Sequence, residues 1–168
     1  MKLQVSFDFD GVLSIPEVEE FAKELIEDGI NVWVTTSRYN EGSNLDLLKV
    51  TDRLGIPYSN IQFTGRQDKS KFLEQDFFLF HLDDEPYVIN EIIENGQNTT
   101  PILMDKSVNW EEMCKELIDF SLAMQFIAFR FVDVEPEESL EELLAKAIEE
   151  EDYEYAAVLR DEIKSLDE

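Results

Sequence analysis

The sequence predicts an α/β fold: a parallel sheet of about five strands flanked by helices, with a C-terminal helical hairpin. Three observations carry that prediction. Short apolar runs alternate five times with segments of helical period. One apolar run, Leu3 to Asp10, ends in two aspartates and meets a glycine at once. From Glu135 the composition changes, acids dominate, and two apolar stripes of helical spacing follow each other.

Leu3 to Asp10 reads as a buried strand that Gly11 ends. Pro16 to Asp28 reads as a helix, with Pro16 in its first turn and Gly29 at its C-terminal cap. Asn31 to Thr36 is a strand. Asn44 to Leu54 is a helix offering Leu45, Leu47, Leu48, Val50 and Leu54 for burial. Ile61 to Thr64 is a short strand, and Asp68 to Glu74 a short helix with Asp68 as N-cap or first-turn acid. Phe77 to Leu82 is a strongly apolar strand, followed by a helix over Glu85 to Glu94 and a strand over Thr100 to Met104. Trp110 to Met124 reads as a helix. Gln125 to Val134 fits either a helical continuation or a strand.

The 168-residue length suits one α/β domain over residues 1–134 and an appendage over 135–168. The formal charge of −25 argues against nucleic acid and acidic membrane surfaces as partners. Cys114 is the sole cysteine, so no internal disulfide forms, which fits a reducing compartment. The stretch Met1 to Gln4 has no signal-peptide character, and no apolar run approaches the roughly 20 residues of a membrane span. The expectation is a soluble, cytoplasmic protein.

Asp8 and Asp10 are the most informative residues. An ionised carboxylate in a buried strand costs several kcal/mol unless a cation or hydrogen bonds compensate it. At the C-terminal edge of a parallel sheet, where such folds bind ligands, the pair suits chemistry on a phosphate with a divalent metal. Three further stations lie at strand ends or in the loops after them: Thr35-Thr36-Ser37-Arg38, Lys69, and Asp83-Asp84. A parallel sheet gathers all four stations on one edge.

These stations resemble the motifs of haloacid dehalogenase superfamily phosphohydrolases, a Rossmann-like family. The first motif corresponds to Asp8-Phe9-Asp10-Gly11-Val12-Leu13, the second to Thr36, the third to Lys69 and the fourth to Asp83-Asp84. The resemblance covers about residues 1–105. It implies a Mg²⁺-dependent phosphatase. Asp8 is then the nucleophile that forms an aspartyl-phosphate, and Asp10 the general acid and base. Thr36 is a hydrogen-bond donor to the phosphoryl group, and Lys69 the neutralising cation. Mg²⁺ is held by Asp8, the Asp10 carbonyl and the Asp83-Asp84 pair, with Asp84 the direct ligand and Asp83 its neighbour. Ser37 and Arg38 complete the substrate-binding set. Lys69 is preferred to Lys71, which is expected to be solvated. His81 is expected to be packed and hydrogen-bonded. Arg38 and Arg66 are surface residues that, with the two lysines, can also form a local positive funnel for an anion.

Many members of that family carry a cap domain over the site. Ser14 to Asn31 and Arg66 to Asp76 leave no room for one here, which implies an open site. The substrate classes that remain are small phosphomonoesters, such as nucleotides and sugar phosphates, and phosphoproteins; overall acidity makes polynucleotide ends the poorest fit. The tail is similar to the UVR motif, most distinctly over Ala156-Ala157-Val158-Leu159-Arg160-Asp161-Glu162-Ile163. That resemblance implies contact with a protein partner, or self-association, through residues 139–166. It also supplies the alternative to an enzyme, a binding or adaptor protein of the same fold with little turnover.

Overall fold

A computed structural model describes residues 2–95 and 98–132, with Lys146, Ile148 and Arg160 beyond them. The chain divides into two compact units, Met1–Ser121 and Leu122–Glu168. The first unit is built as β1 (Gln4–Phe7), α1 (Pro16–Glu27), β2 (Asn31–Thr36), α2 (Leu45–Leu54), β3 (Ile61–Phe63), α3 (Ser70–Leu73), β4 (Phe80–Asp83), α4 (Pro86–Glu94) and β5 (Thr100–Leu103). It ends in the first part of α5 (Trp110–Val132). All strand pairs are parallel, in the order β3-β2-β1-β4-β5. The fold is α/β and Rossmann-like, as the alternation predicts.

That order makes β1 the central strand and puts the reversal of winding between β1 and β4. A crevice opens at such a reversal, outside the carboxyl ends of the strands. Asp8 and Asp83 stand at this point, one at each side.

The strands alternate between two unlike faces. Val5 and Phe7 of β1, Val32 and Val34 of β2, and Phe80 and Leu82 of β4 enter the main core. There they meet Phe21, Ala22 and Leu25 of α1, Leu47 and Leu54 of α2, and Cys114 and Ile118 of α5. Phe7 stands edge-on to Phe80 at 5.8 Å and to Phe21 at 6.3 Å. The second face is largely polar and lies toward α3 and α4. A small apolar cluster of Leu73, Phe78, Val88 and Ile92 with Trp33 packs there. Strands buried on both faces are usually continuous apolar runs; here one face is instead made of Gln4, Ser6, Thr35, Gln62 and His81.

Several boundaries differ from expectation for local reasons. β1 stops at Phe7, because the Asp8 carbonyl accepts the Leu13 N–H at 3.1 Å and starts a wide turn over Phe9–Leu13. Asp8 keeps one ladder bond, from its N–H to Leu82 O at 2.9 Å. β4 begins only at Phe80, and Phe77 is exposed. Leu45, expected to be buried, is exposed at the start of α2. Asp68 does not cap α3: the N-cap position is Lys69, and Asp68 pairs with Lys71 instead. Between the two readings of Gln125 to Val134, the helical one holds through Val132. Residues 133–134 and the hairpin lie outside the described residues, apart from Lys146, Ile148 and Arg160, which are helical.

Because Phe7 joins the sheet to α1 at the centre of the core, Phe7→Ala should cost about 3–5 kcal/mol in denaturant unfolding. A loss under about 1 kcal/mol would mean that the core does not rest on this strand.

Candidate active site

The carboxyl edge of the sheet brings Asp8, Lys69, Asp83 and Asp84 together around a cleft of about 350 Å³, which Asp10, Gly11 and Ser37 also line. Lys69 is the hub. Its Nζ donates to Asp8 Oδ1 at 2.5 Å and to Asp83 Oδ2 at 2.6 Å, and all three side chains are buried. Lys71, by contrast, is mostly exposed.

Lys69 reaches this position because of a cap supplied from a distant part of the chain. Glu91 on α4 accepts the backbone N–H of Lys69 at 3.1 Å and of Ser70 at 3.3 Å, and it also binds the Ser70 hydroxyl. A four-residue helix holds few of its own hydrogen bonds, so its free N–H groups need outside acceptors. No sequence-local cue indicates Glu91, because the pairing depends on α4 crossing α3.

Asp83 is held by three partners. Its Oδ2 takes Lys69 and lies 3.0 Å from His81 Nε2, while Oδ1 accepts the Glu85 N–H at 3.0 Å. Burial works to raise its pKa, but the His81 hydrogen bond and the charge and hydrogen bond of Lys69 hold it below the usual carboxylate range. His81 is fully buried, and burial drives its pKa down, so the neutral imidazole donates Nε2–H to the Asp83 carboxylate. Nδ1 lies 3.0 Å from Ser6 Oγ, Ser6 lies 2.8 Å from Thr35 Oγ1, and Thr35 donates to Gln62 Oε1 at 2.8 Å. One residue from each of four adjacent strands thus forms a polar file that ends at Asp83. As expected, His81 is packed and hydrogen-bonded. Thr35 belongs to the strand-end station that the sequence marks, but as links of this file Ser6, Thr35 and Gln62 carry no sequence cue beyond their alternation with apolar neighbours.

Asp8 is pushed up to about 6, first by burial and then by the Asp83 charge, against the charge and hydrogen bond of Lys69. Asp84 is also raised, by burial first and then by Asp83. One lysine therefore serves more buried negative charge than it balances. Asp84 is held over Gly11, where a Cβ would come within 2.2 Å of Asp84 Oδ2 and where φ is +76°. Only glycine accommodates both the backbone conformation and this approach.

These donors fit a hard divalent cation. They are all oxygen, two of the carboxylates are short of positive charge, and Asp84 pairs with no cation among the described residues. Asp8, Asp84 and the Asp10 carbonyl would hold the ion, with Asp83 behind them. Among the described residues no three acidic, histidine or cysteine side chains group as a metal cluster; the fitting set counts two carboxylates and a backbone carbonyl.

Asp10 is more exposed, and both its oxygens accept from Arg38, at 2.6 and 2.8 Å. Arg38 also binds Asp46 of α2 at 2.7 and 2.8 Å, and its guanidinium lies 4.7 Å from the Phe9 ring centre. Hydrogen bonds that Arg38 donates to Asp46 and then to Asp10 hold it in its charged form. Thr36 is fully buried, and its hydroxyl accepts the Arg38 N–H at 3.3 Å. The strand-end hydroxyl residue that lines the cleft is Ser37. Beyond it, Asp10, Ser37, Arg38, Tyr39 and Arg66 border an adjoining cleft of about 390 Å³. Among the described residues no helix is long and apolar enough to cross a membrane.

A family model described as the UvrB/uvrC motif matches residues 138–168. No curated protein matches the chain. Among solved structures, the crystal structure of a hypothetical protein from Pyrococcus horikoshii OT3 is similar, with 19% identity and a TM-score of 0.31. That match covers 65% of this chain and 51% of the other, so the chain spans about half of that protein's length.

The electrostatics predict opposite effects for two substitutions. The raised pKa of Asp8 means that its contribution to stability falls as pH rises from about 4 to about 6 and stays low above that. Asp8→Asn should therefore stabilise the metal-free protein at pH 8 by on the order of 1–3 kcal/mol and flatten that pH dependence. Lys69→Met leaves two buried carboxylates without their cation and should cost about 3–5 kcal/mol. Denaturant unfolding at pH 4, 6 and 8 measures both, and a destabilised Asp8→Asn would contradict the charge balance.

Proposed function

We propose that this chain is a Mg²⁺-dependent phosphohydrolase of the haloacid dehalogenase type. The observation that supports it best is the buried Lys69 between Asp8 and Asp83 at the point where the sheet reverses its winding. A phosphoryl group entering the cleft meets a carboxylate, an ammonium and the Ser37 hydroxyl together. Asp8, with its pKa near 6, is ionised at neutral pH and remains nucleophilic.

In this reading an Asp8 oxygen forms a bond to phosphorus while the ester P–O bond breaks. The electron pair leaves with the alkoxide, which takes a proton that Asp10 must first bind from solvent, since both Asp10 oxygens accept from Arg38 in the free site. Water then attacks the aspartyl-phosphate, gives its proton to Asp10 and releases phosphate with the Asp8 carboxylate restored. Lys69 balances charge on Asp8 and on the equatorial oxygens, a role that is mainly electrostatic. Mg²⁺, when bound, supplies further charge neutralisation at the transferring phosphoryl group. Ser37 presents its hydroxyl to a phosphoryl oxygen, and the buried Thr36 hydroxyl fixes the loop through Arg38 N–H. Arg38 keeps Asp10 at the cleft rim.

Phosphate release from a panel of phosphomonoesters should require Mg²⁺ and fall at least 10³-fold in Asp8→Asn and in Lys69→Met. Metal-independent turnover, or turnover that survives Asp8→Asn, would overturn this reading.

The UvrB/uvrC motif match supports a second role for residues 138–168, in protein contact or self-association. Light scattering of the full chain and of a chain ending at residue 134 should show association only in the former. Equal masses per particle, with every partner retained, would exclude that role.

A further inference from the structure

We propose that the adjoining cleft is a second-anion subsite, which takes a carboxylate or phosphate carried on the alcohol part of the phosphomonoester. The proposal rests on the phosphohydrolase reading and narrows its substrate class to esters with two anionic groups. The adjoining cleft shares Asp10 and Ser37 with the Asp8 cleft, so one small molecule spans both. Each volume, about 350 and about 390 Å³, lies in the range that binds small ligands.

Arg66 is the residue that would bind the second anion. It has φ +65°, the one non-glycine residue in the left-handed region among those described. A long side chain there costs on the order of 1 kcal/mol or more, and such strain gathers at functional sites. The turn that imposes it is fastened from several sides. Gln67 N–H binds Thr64 O at 3.1 Å, Gly65 N–H binds Arg38 O at 3.0 Å, and Arg66 N–H binds Ser37 O at 3.0 Å. Gly65 lets the turn close against Tyr39, because a Cβ there would lie 3.2 Å from the Tyr39 ring. The loop after β3 is thus stitched to the loop after β2, which fixes the Arg66 backbone at the edge of the shared cleft.

The pairing of the described arginines points to the same residue. The chain has 39 acidic and 14 basic residues. Arg38 holds Asp10 and Asp46, and Arg53 holds Glu19. Arg66 holds no carboxylate among the described residues. An unpaired guanidinium lining a cleft in so acidic a chain, on a backbone strained to hold it there, fits a ligand that brings the negative charge. The distant acids oppose this little at physiological salt, where charges beyond about 8 Å are screened.

Three esters on one carbon skeleton test the proposal: glycerol 3-phosphate, 3-phosphoglycerate and glycerol 1,3-bisphosphate. The two bis-anionic esters should show a kcat/KM at least tenfold above glycerol 3-phosphate. Arg66→Gln should reduce that ratio about tenfold, and Arg66→Lys should restore most of it. The same φ is demanded of all three side chains, so a change in strain does not explain such a pattern. Calorimetric binding of 3-phosphoglycerate to the Asp8→Asn chain gives a readout that needs no turnover. Preference for the better of the carboxylate and phosphate esters identifies which anion the subsite takes. Turnover with no preference among the three esters overturns the subsite and leaves the phosphohydrolase reading standing. No turnover of any ester, with Arg66-dependent binding of 3-phosphoglycerate, upholds the subsite and removes the hydrolase. Binding that is indifferent to Arg66→Gln overturns the subsite whatever the activity.

Discussion

The Lys69 ammonium between Asp8 and Asp83 organises this molecule. Two carboxylates withdrawn from water at a strand edge repel each other and are poorly solvated, and a buried cation is the means by which both remain ionised. Other features of the edge follow from holding that cation in place. Glu91 caps the short helix that carries Lys69. The Glu85 N–H and the His81 ring occupy the rest of Asp83. With Asp83 held by these three partners, Asp84 is the freer member of the acidic pair at the cleft.

One ammonium does not balance the cluster. Asp8 and Asp84 are both raised, which means the native edge carries more negative charge than it solvates well. Stability would be greater with a neutral group at Asp8. A site kept in that condition is what a function requiring charge at that point looks like, since natural proteins retain stability costs mainly where activity needs them. The α/β scaffold itself says little about activity, because one fold hosts many functions. The charge imbalance at the crevice is a more specific indicator than the topology.

The polar face of the sheet links the edge to the interior. Gln62, Thr35, Ser6 and His81 come from four neighbouring strands and hydrogen-bond in sequence to Asp83. A buried polar group without partners costs about 1–3 kcal/mol, so a complete file is stable where a broken one is not. The file fixes strand register and Asp83 orientation at once. On the other face, Phe7, Phe80 and Phe21 supply the burial that holds the layers together. Core packing and site geometry are thus divided between the two faces of the same strands.

The linear order of residues was enough to determine the strand–helix alternation, the parallel sheet and the stations Asp8, Asp10, Lys69, Asp83 and Asp84. These are properties of periodicity and of residue type at strand ends, which are local. The tail's likeness to the UVR motif was also legible, and a family model covers residues 138–168. Tertiary structure alone decided that Glu91 caps α3, that Arg38 bridges Asp10 to Asp46, that Ser37 and not Thr36 lines the cleft, and that Arg66, at the adjoining cleft, holds no carboxylate among the described residues. Each of these depends on which elements become neighbours across the sheet and on which way a side chain turns at its end. Periodicity specifies how a segment folds; contacts between segments distant in sequence specify where its charges find partners.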